Sequence, residues 1–275
     1  MDNVGRFVFS GPSTWPLEQA LRWAVEHGFR RVDFNADSRA NYPDMFTPER
    51  VNLIRNLAGE HGVAIGIHTS SAVNMAEIRP VMAAAADEYV RQNLDLAQSL
   101  GGSHVIVHGG YHFSSDVEGR FAAAIKRLRL AVKLADERDL ELHFENHNAE
   151  PEHAEIHYIP HTVEETRRFF DAVTSPKLRW ACNVGHAMLV PDGFEGFLDA
   201  FGAEFIGHVR LHDTNGLYEE HFTPGDGIVD FRHVFGTLHA RGYRGPFTLD
   251  FGAPEEKALW RDRWAALLDE IVAGG

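Results

Sequence analysis

The chain has 275 residues, 44% of them apolar and 24% charged, a formal net charge of −14 and one cysteine. That is enough apolar content to bury a full core, and α/β barrels of this length fold as one unit, so a single domain over residues 1–275 is expected. The lone Cys182 excludes an internal disulfide framework and a cysteine-rich zinc site and points to a reducing cytoplasm. The acidic balance argues against a nucleic-acid partner, and the lack of a long apolar run or a leader argues against a membrane partner.

Taken in chain order, eight short β-rich runs alternate with segments of helical period. The runs are 6–10, 31–35, 64–68, 104–108, 141–145, 178–183, 206–212 and 247–251. Helix starts are marked: Thr47-Pro48 offers a capping side chain and a proline for the first turn, and Thr162-Val-Glu-Glu165 is a capping-box pattern. Helix stops are marked too, by Gly28, Gly62 and Gly101-Gly102, each just before the next run. Strict alternation predicts a parallel sheet, and eight repeats predict closure into a single (β/α)8 TIM barrel. A doubly wound open sheet is the weaker alternative, because no glycine fingerprint follows the first run. The longest irregular stretch, 147–161, is polar and histidine-rich and lies where a functional loop would be.

Within each run, alternate side chains face the barrel interior. Val105 and Val107 belong against the helices, which turns His104, Ile106 and His108 inward. The same count turns inward Gly66 and His68, His143 and Glu145, Ala181 and Asn183, the set His208, Arg210 and His212, and Asp250. An isolated inward histidine reads best as a hydrogen-bonded polar residue of the barrel. Here His68, His108, Glu145, Asn183, Arg210, His212 and Asp250 converge on the C-terminal ends of six strands, where barrel enzymes place their sites. Other features read as structure. Trp15, Trp23 and Trp180 suit packing between barrel and helices, with Trp15 and Phe9 the better candidates for a surface facing a ligand at the rim; Cys182 suits a buried small apolar position; Lys126-Arg-Leu-Arg129 suits an exposed helix face.

The segments Glu145-Asn146, Cys182-Asn-Val-Gly-His186, His208-x-x-x-His-Asp213, His221-x-x-Pro-Gly-Asp-Gly-x-x-Asp-Phe231 and Gly242-Tyr-Arg-Gly-Pro-Phe-Thr-Leu-Asp250 follow in that order. Together they resemble the xylose isomerase-like TIM-barrel superfamily, which includes sugar isomerases and epimerases and endonuclease IV. The resemblance implies a divalent metal held by a glutamate, an aspartate, a histidine and a second glutamate from strands five to eight. Glu145 matches the first ligand, but Asn183 stands at the aspartate, Arg210 at the histidine and Asp250 at the second glutamate. Arg210 cannot ligate, because a guanidinium has no lone pair to offer.

Two arrangements are open. In one, His212 on the same inward face replaces the lost nitrogen, and Glu145, Asn183, His212 and Asp250 hold Mn²⁺, Zn²⁺ or Mg²⁺. In the other, Arg210 is itself the cation, bracketed by Glu145 and Asp250. The surrounding histidines His68, His108, His186 and His221 tip the balance toward the first.

Either way Glu145 and Asp250 are the expected acid–base pair, moving a proton at a carbon next to a carbonyl. His68, His108, His186, Arg210 and His221 are the expected substrate-binding residues, and the partner is a small sugar-like molecule. The expected activity is sugar isomerisation or epimerisation. A dehydratase or lyase on the same barrel, and a non-catalytic or metal-free sugar-binding barrel, are the alternatives. DNA repair of the endonuclease IV type is disfavoured: His68, His108 and Glu145 resemble its first zinc group and His186, Glu219 and His221 its third, but Asn183, Arg210 and Asp250 spoil the middle one. Oligomeric state is open, a homo-oligomer included.

Overall fold

The structure, a computed structural model, describes residues 3–274. Eight parallel strands close into a barrel in chain order, the last pairing with the first. They are β1 (Phe7–Ser10), β2 (Arg31–Phe34), β3 (Ala64–His68), β4 (His104–Val107), β5 (Glu141–Glu145), β6 (Leu178–Asn183), β7 (Ile206–Leu211) and β8 (Phe247–Leu249). Each expected run holds one strand, and the (β/α)8 barrel read from strand–helix alternation is the observed fold. The surrounding helices are α1 (Leu17–Glu26), α2 (Pro48–His61), α3 (Pro80–Leu100), α4 (Val117–Asp136), α5 (Val163–Ala172), the single turn α6 (Val184–Ala187), α7 (Gly193–Phe201), α8 (Phe231–Ala240) and α9 (Pro254–Gly274).

Local chemistry sets the element ends. The Thr47 hydroxyl accepts from the Arg50 amide, and the Thr162 hydroxyl from that of Glu165. The return bond of this second cap is shifted by one residue, since the Glu165 carboxylate accepts from His161 N at 2.9 Å. Gly62 and Gly101 end α2 and α3 at φ of 62° and 67°, where an L side chain would be strained.

Strand parity divides the barrel as expected. Val32, Ile65, Ile67, Val105, Val107, Leu142, Phe144, Trp180, Cys182, Val209, Leu211 and Leu249 are all buried in the layer between sheet and helices. Each such large side chain is worth roughly 1.5–3 kcal/mol of transfer free energy, so this layer holds the barrel shut. The interior instead carries Asp33, His143, Glu145, Asn183, His208, Arg210 and Thr248, also buried. Apolar packing outside thus supports a polar column inside. Over the mouth, Tyr111–His112 pairs antiparallel with His157–Tyr158, binding the loop after β4 to the loop after β5.

Two sequence expectations change. Phe9 stacks on Trp23 at 4.5 Å, and neither Phe9 nor Trp15 lines the cavity at the barrel's C-terminal mouth, so neither offers a sugar face. Arg127 is not on an exposed face: it is 5% exposed, with Nε donating to Asp87 Oδ1 at 2.6 Å. Its guanidinium also donates to the carbonyls of Met75, Glu77 and Ala83, fastening the segment that leads from β3 into α3. Arg127→Ala is expected to cost about 2–4 kcal/mol in denaturant unfolding, because it strands buried acceptors. A loss under about 0.5 kcal/mol, the range of ordinary surface changes, would contradict this role.

Candidate active site at the mouth of the barrel

A cavity of about 240 Å³ opens at the C-terminal end of the strands. Its lining includes seven of the expected site residues: His68, His108, Glu145, His186, Arg210, His221 and Asp250. Asn183 and His212 are absent from the lining and lie buried beside it. Ser71, His147, Asn148, Glu150, Tyr158 and Glu219 complete the wall from the loops. Among these, only Glu219 carried a motif signal, and the polar 147–161 loop marked the region of four others.

Arg210 occupies the centre. On β7 it aligns with Asn183 of β6 and Thr248 of β8, and it is 2% exposed. Its Nη2 donates to Asp250 Oδ2 at 2.5 Å, and its Nε lies 3.3 Å from Glu145 Oε1. Burial opposes the charge, but Asp250, Glu145 and Asp33 outweigh it and raise the guanidinium above its ordinary value. Burial likewise works upward on both carboxylates, yet Arg210, joined by His108 and His68 at Glu145 and by His221 at Asp250, holds them below the usual carboxylate range. The buried Nη1 makes no hydrogen bond.

This arrangement bears on the four residues expected to share an ion. Asn183 Nδ2 donates to Glu145 Oε1 at 2.8 Å, while its Oδ1 caps α6 by accepting from His186 N and also meets His212 Nε2 at 2.9 Å. Its carbonyl oxygen is therefore spent on positioning. Gly185 makes that possible, since a Cβ there would lie 2.1 Å from the His212 ring. With the guanidinium between Glu145 and Asp250 and Asn183 engaged, those four residues do not fit a common metal ion in this arrangement.

Two flanking groups have better donor sets. His68 Nε2 and His108 Nε2 lie 3.3 and 3.5 Å from Glu145 Oε2, and the second group is His186, His212 and His221. In each, the candidate ligand atoms fall within 4.8 Å of one another. Burial, reinforced by Arg210, lowers His68 to about 4, so it offers a neutral ring at physiological pH. Burial and the neighbouring His221 and His186 lower His212 to about 3. His221 differs. Against the cost of burial, Asp250 and Glu219 raise it to about 9, and its ring nitrogens lie 2.6 Å from Glu219 Oε1 and 2.6 Å from Asp250 O.

The xylose isomerase-like TIM barrel family profile matches residues 21–269. The chain belongs to this family. It is 25% identical to an L-ribulose 3-epimerase of Methylomonas sp. over 78% of this chain and 76% of that protein. It is also 25% identical to a D-psicose 3-epimerase of Enterocloster bolteae, over 82% of this chain and 76% of that protein. Among solved structures, a D-tagatose 3-epimerase-like protein superposes with a TM-score of 0.86 at 21% identity, covering 98% of this chain and 99% of that one.

In this xylose isomerase-like barrel, Asp213 shapes the rim. Its buried carboxylate accepts from the amides of Thr214, Gly225, Gly227 and Val229 at 2.9–3.0 Å, winding the Pro-Gly-Asp-Gly loop back on β7. The same residue's backbone pairs with Phe222, which sets the adjacent His221 over Asp250. If Arg210 fills an ion's place, removing it should reopen that place. The double variant Arg210→His, Asn183→Asp is expected to take up one more divalent ion per chain than the parent by elemental analysis after Mn²⁺ loading. Equal stoichiometry in a folded variant would show that the guanidinium is not what excludes the ion.

Proposed function

We propose that this chain is a sugar epimerase or isomerase that moves a proton at the carbon next to the carbonyl of a small keto sugar, with Arg210 as the fixed cation of the site. The observation that carries the reading is the buried guanidinium between two carboxylates at the barrel mouth, with Nη1 unspent. The cavity suits a small polyhydroxylated molecule: it is compact, and its lining is almost wholly polar, with Tyr158 as an aromatic wall. The sequence likeness to the two 3-epimerases agrees with this reading.

The chemistry follows from charge. One carboxylate, Glu145 or Asp250, takes the proton from the carbon; the C–H electron pair becomes the enediolate double bond, and the carbonyl oxygen gains the negative charge. Arg210 donates to that oxygen from a site that excludes bulk water, where such a bond is worth most. As the guanidinium turns to the new oxyanion, its hold on the base weakens, so the carboxylate gains basicity as the proton leaves. The other carboxylate, protonated from solvent once Arg210 has turned to the oxyanion, returns a proton, and the first releases its own to solvent. Delivery to the opposite face gives the epimer, and delivery to the former carbonyl carbon gives the isomer. His68, His108, His186 and His221 hold the hydroxyls. A divalent ion, Zn²⁺ or Mn²⁺ before Mg²⁺ given the histidine-rich donors, would be held by His68, His108 and Glu145, or by His186 and His212 with His221 once that ring gives up its proton, and would add polarisation of substrate oxygens there.

Ketopentoses and ketohexoses incubated with the protein in D2O should gain deuterium beside the carbonyl, seen by NMR together with the epimer or isomer. Glu145→Gln is expected to lower turnover by about 10²–10⁴ with an unchanged circular dichroism spectrum. Arg210→Lys should cost roughly 10²–10³ in kcat, since the planar donor is lost while the charge stays. Full turnover in Glu145→Gln, or tight sugar binding without any exchange, would overturn the reading.

A further inference from the structure

The opposite end of the barrel holds a second histidine cluster that the chemistry above does not use. His104 of β4, His143 of β5 and His208 of β7 point inward below the mouth, His143 and His208 one inward position beneath Glu145 and Arg210, beside Asp33 of β2, and border a separate cavity of about 150 Å³. We propose that His104, His143 and His208, with the Asp33 carboxylate, form a binding site for a divalent transition-metal ion at the N-terminal end of the barrel.

The geometry supports an ion over a purely structural plug. Candidate ligand atoms of the three rings lie within 4.8 Å of one another, and His104 Nε2 lies 3.3 Å from Asp33 Oδ1. Tetrahedral donors on an ion at ~2.0–2.1 Å stand about 3.3 Å apart, so side-chain rotation supplies the closure. The hydrogen bonds also aim the lone pairs. Glu141 Oε2 accepts from His143 Nε2 at 3.0 Å, so His143 Nδ1 faces the cluster as an acceptor; it accepts from His208 Nδ1 at 2.7 Å, and an ion replaces this bond once the two rings turn apart. A carboxylate behind a histidine in this way is how metal-binding rings are oriented. The Ser103 hydroxyl donates to Ile65 O at 3.3 Å and can accept from His104 Nδ1 at 2.9 Å. His104 Nε2 then turns a lone pair toward the Asp33 carboxylate, two acceptors that a cation between them would satisfy.

His104 Nε2 and His208 Nε2 are buried with no hydrogen-bond partner, a cost that an ordinary polar layer avoids. The backbone has been cleared for the rings: a Cβ at Gly66 would lie 2.3 Å from the His104 ring, and one at Gly207 would lie 2.6 Å from that of His143. Burial favours the neutral, ligating form of two of the rings, lowering His143 to about 4 and His208 well below its ordinary value. The donor set of three imidazoles and one carboxylate suits Zn²⁺ and Co²⁺ more than Mg²⁺ or Ca²⁺.

The test separates the two ends. The full chain is stripped with chelator, loaded with Zn²⁺ or Co²⁺, desalted and analysed for metal, alongside a mouth variant (His68→Asn, His108→Asn, His186→Asn, His221→Asn). The mouth variant is expected to keep one ion per chain and, with Co²⁺, to show the visible absorption of a four-coordinate site. Adding His208→Asn should weaken that binding at least tenfold. A mouth variant that binds no ion, or one whose binding is untouched by His208→Asn, overturns the proposal. Should the mouth variant fail to fold, His208→Asn or His104→Gln in the parent chain is read instead: a loss of one equivalent supports the site, and unchanged stoichiometry overturns it.

Discussion

A guanidinium buried at the axis of a barrel is the constraint around which the rest of this interior is arranged. An uncompensated charge in that position would cost several kcal/mol, so its neighbours must supply both opposite charge and hydrogen bonds. Asp250 supplies both, Glu145 supplies opposite charge 3.3 Å from Nε, and Asp33 adds attraction from below. The demand then passes outward. Glu145 is a buried acceptor with more lone pairs than Arg210 fills, and His68, His108 and Asn183 surround the remainder. Asn183 in turn is held by the turn it caps and by His212. One charge thus fixes side chains on β3, β5, β6 and β7 and, just beyond β8, Asp250.

The parallel barrel is what permits such a network. Eight strands with the same direction bring residues of equal height to a common axis, and the two-residue period repeats that convergence in layers. The outward set is large and apolar, so register cannot slip by one without placing valine and leucine inside and histidine against the helices. That mismatch is costly enough to make the inward assignment of Arg210 readable directly from the alternation of Val209 and Leu211 around it. The same alternation placed His104, His143 and His208 in the lower layers and His68 and His108 near the rim.

What the alternation could not supply is depth and approach. Asn183 and His212 have the right parity, yet the turn of α6 folds over them and spends their polar atoms on each other, a consequence of Gly185 that no strand pattern encodes. Glu150, Tyr158 and Glu219 come from loops, whose path is set by a two-strand ribbon and by Asp213 rather than by periodicity. Arg127 is a different kind of miss. It falls in line with Ala124, Leu128 and Ala131 on the buried stripe of α4, so helical period placed it inside, and the local run of basic residues hid that signal.

On the proposed reading, an arginine where the family resemblance implies a metal ligand changes the kind of help the site can give. A metal polarises an oxygen by coordination and depends on ions being available; a guanidinium is a permanent charge, planar, and bound to the fold through its carboxylate partners. An enediolate is also planar and spreads its charge over adjacent oxygens, so donors held in a plane can follow that charge as it forms. The cost is competition, because the two carboxylates that neutralise Arg210 are the ones available as bases, and both are held ionised and weakly basic while the guanidinium faces them. On the proposed mechanism, a substrate oxyanion resolves that competition by offering Arg210 a better partner only once the proton has begun to leave. Transition-state stabilisation and activation of the base then become one event, governed by where a single side chain turns.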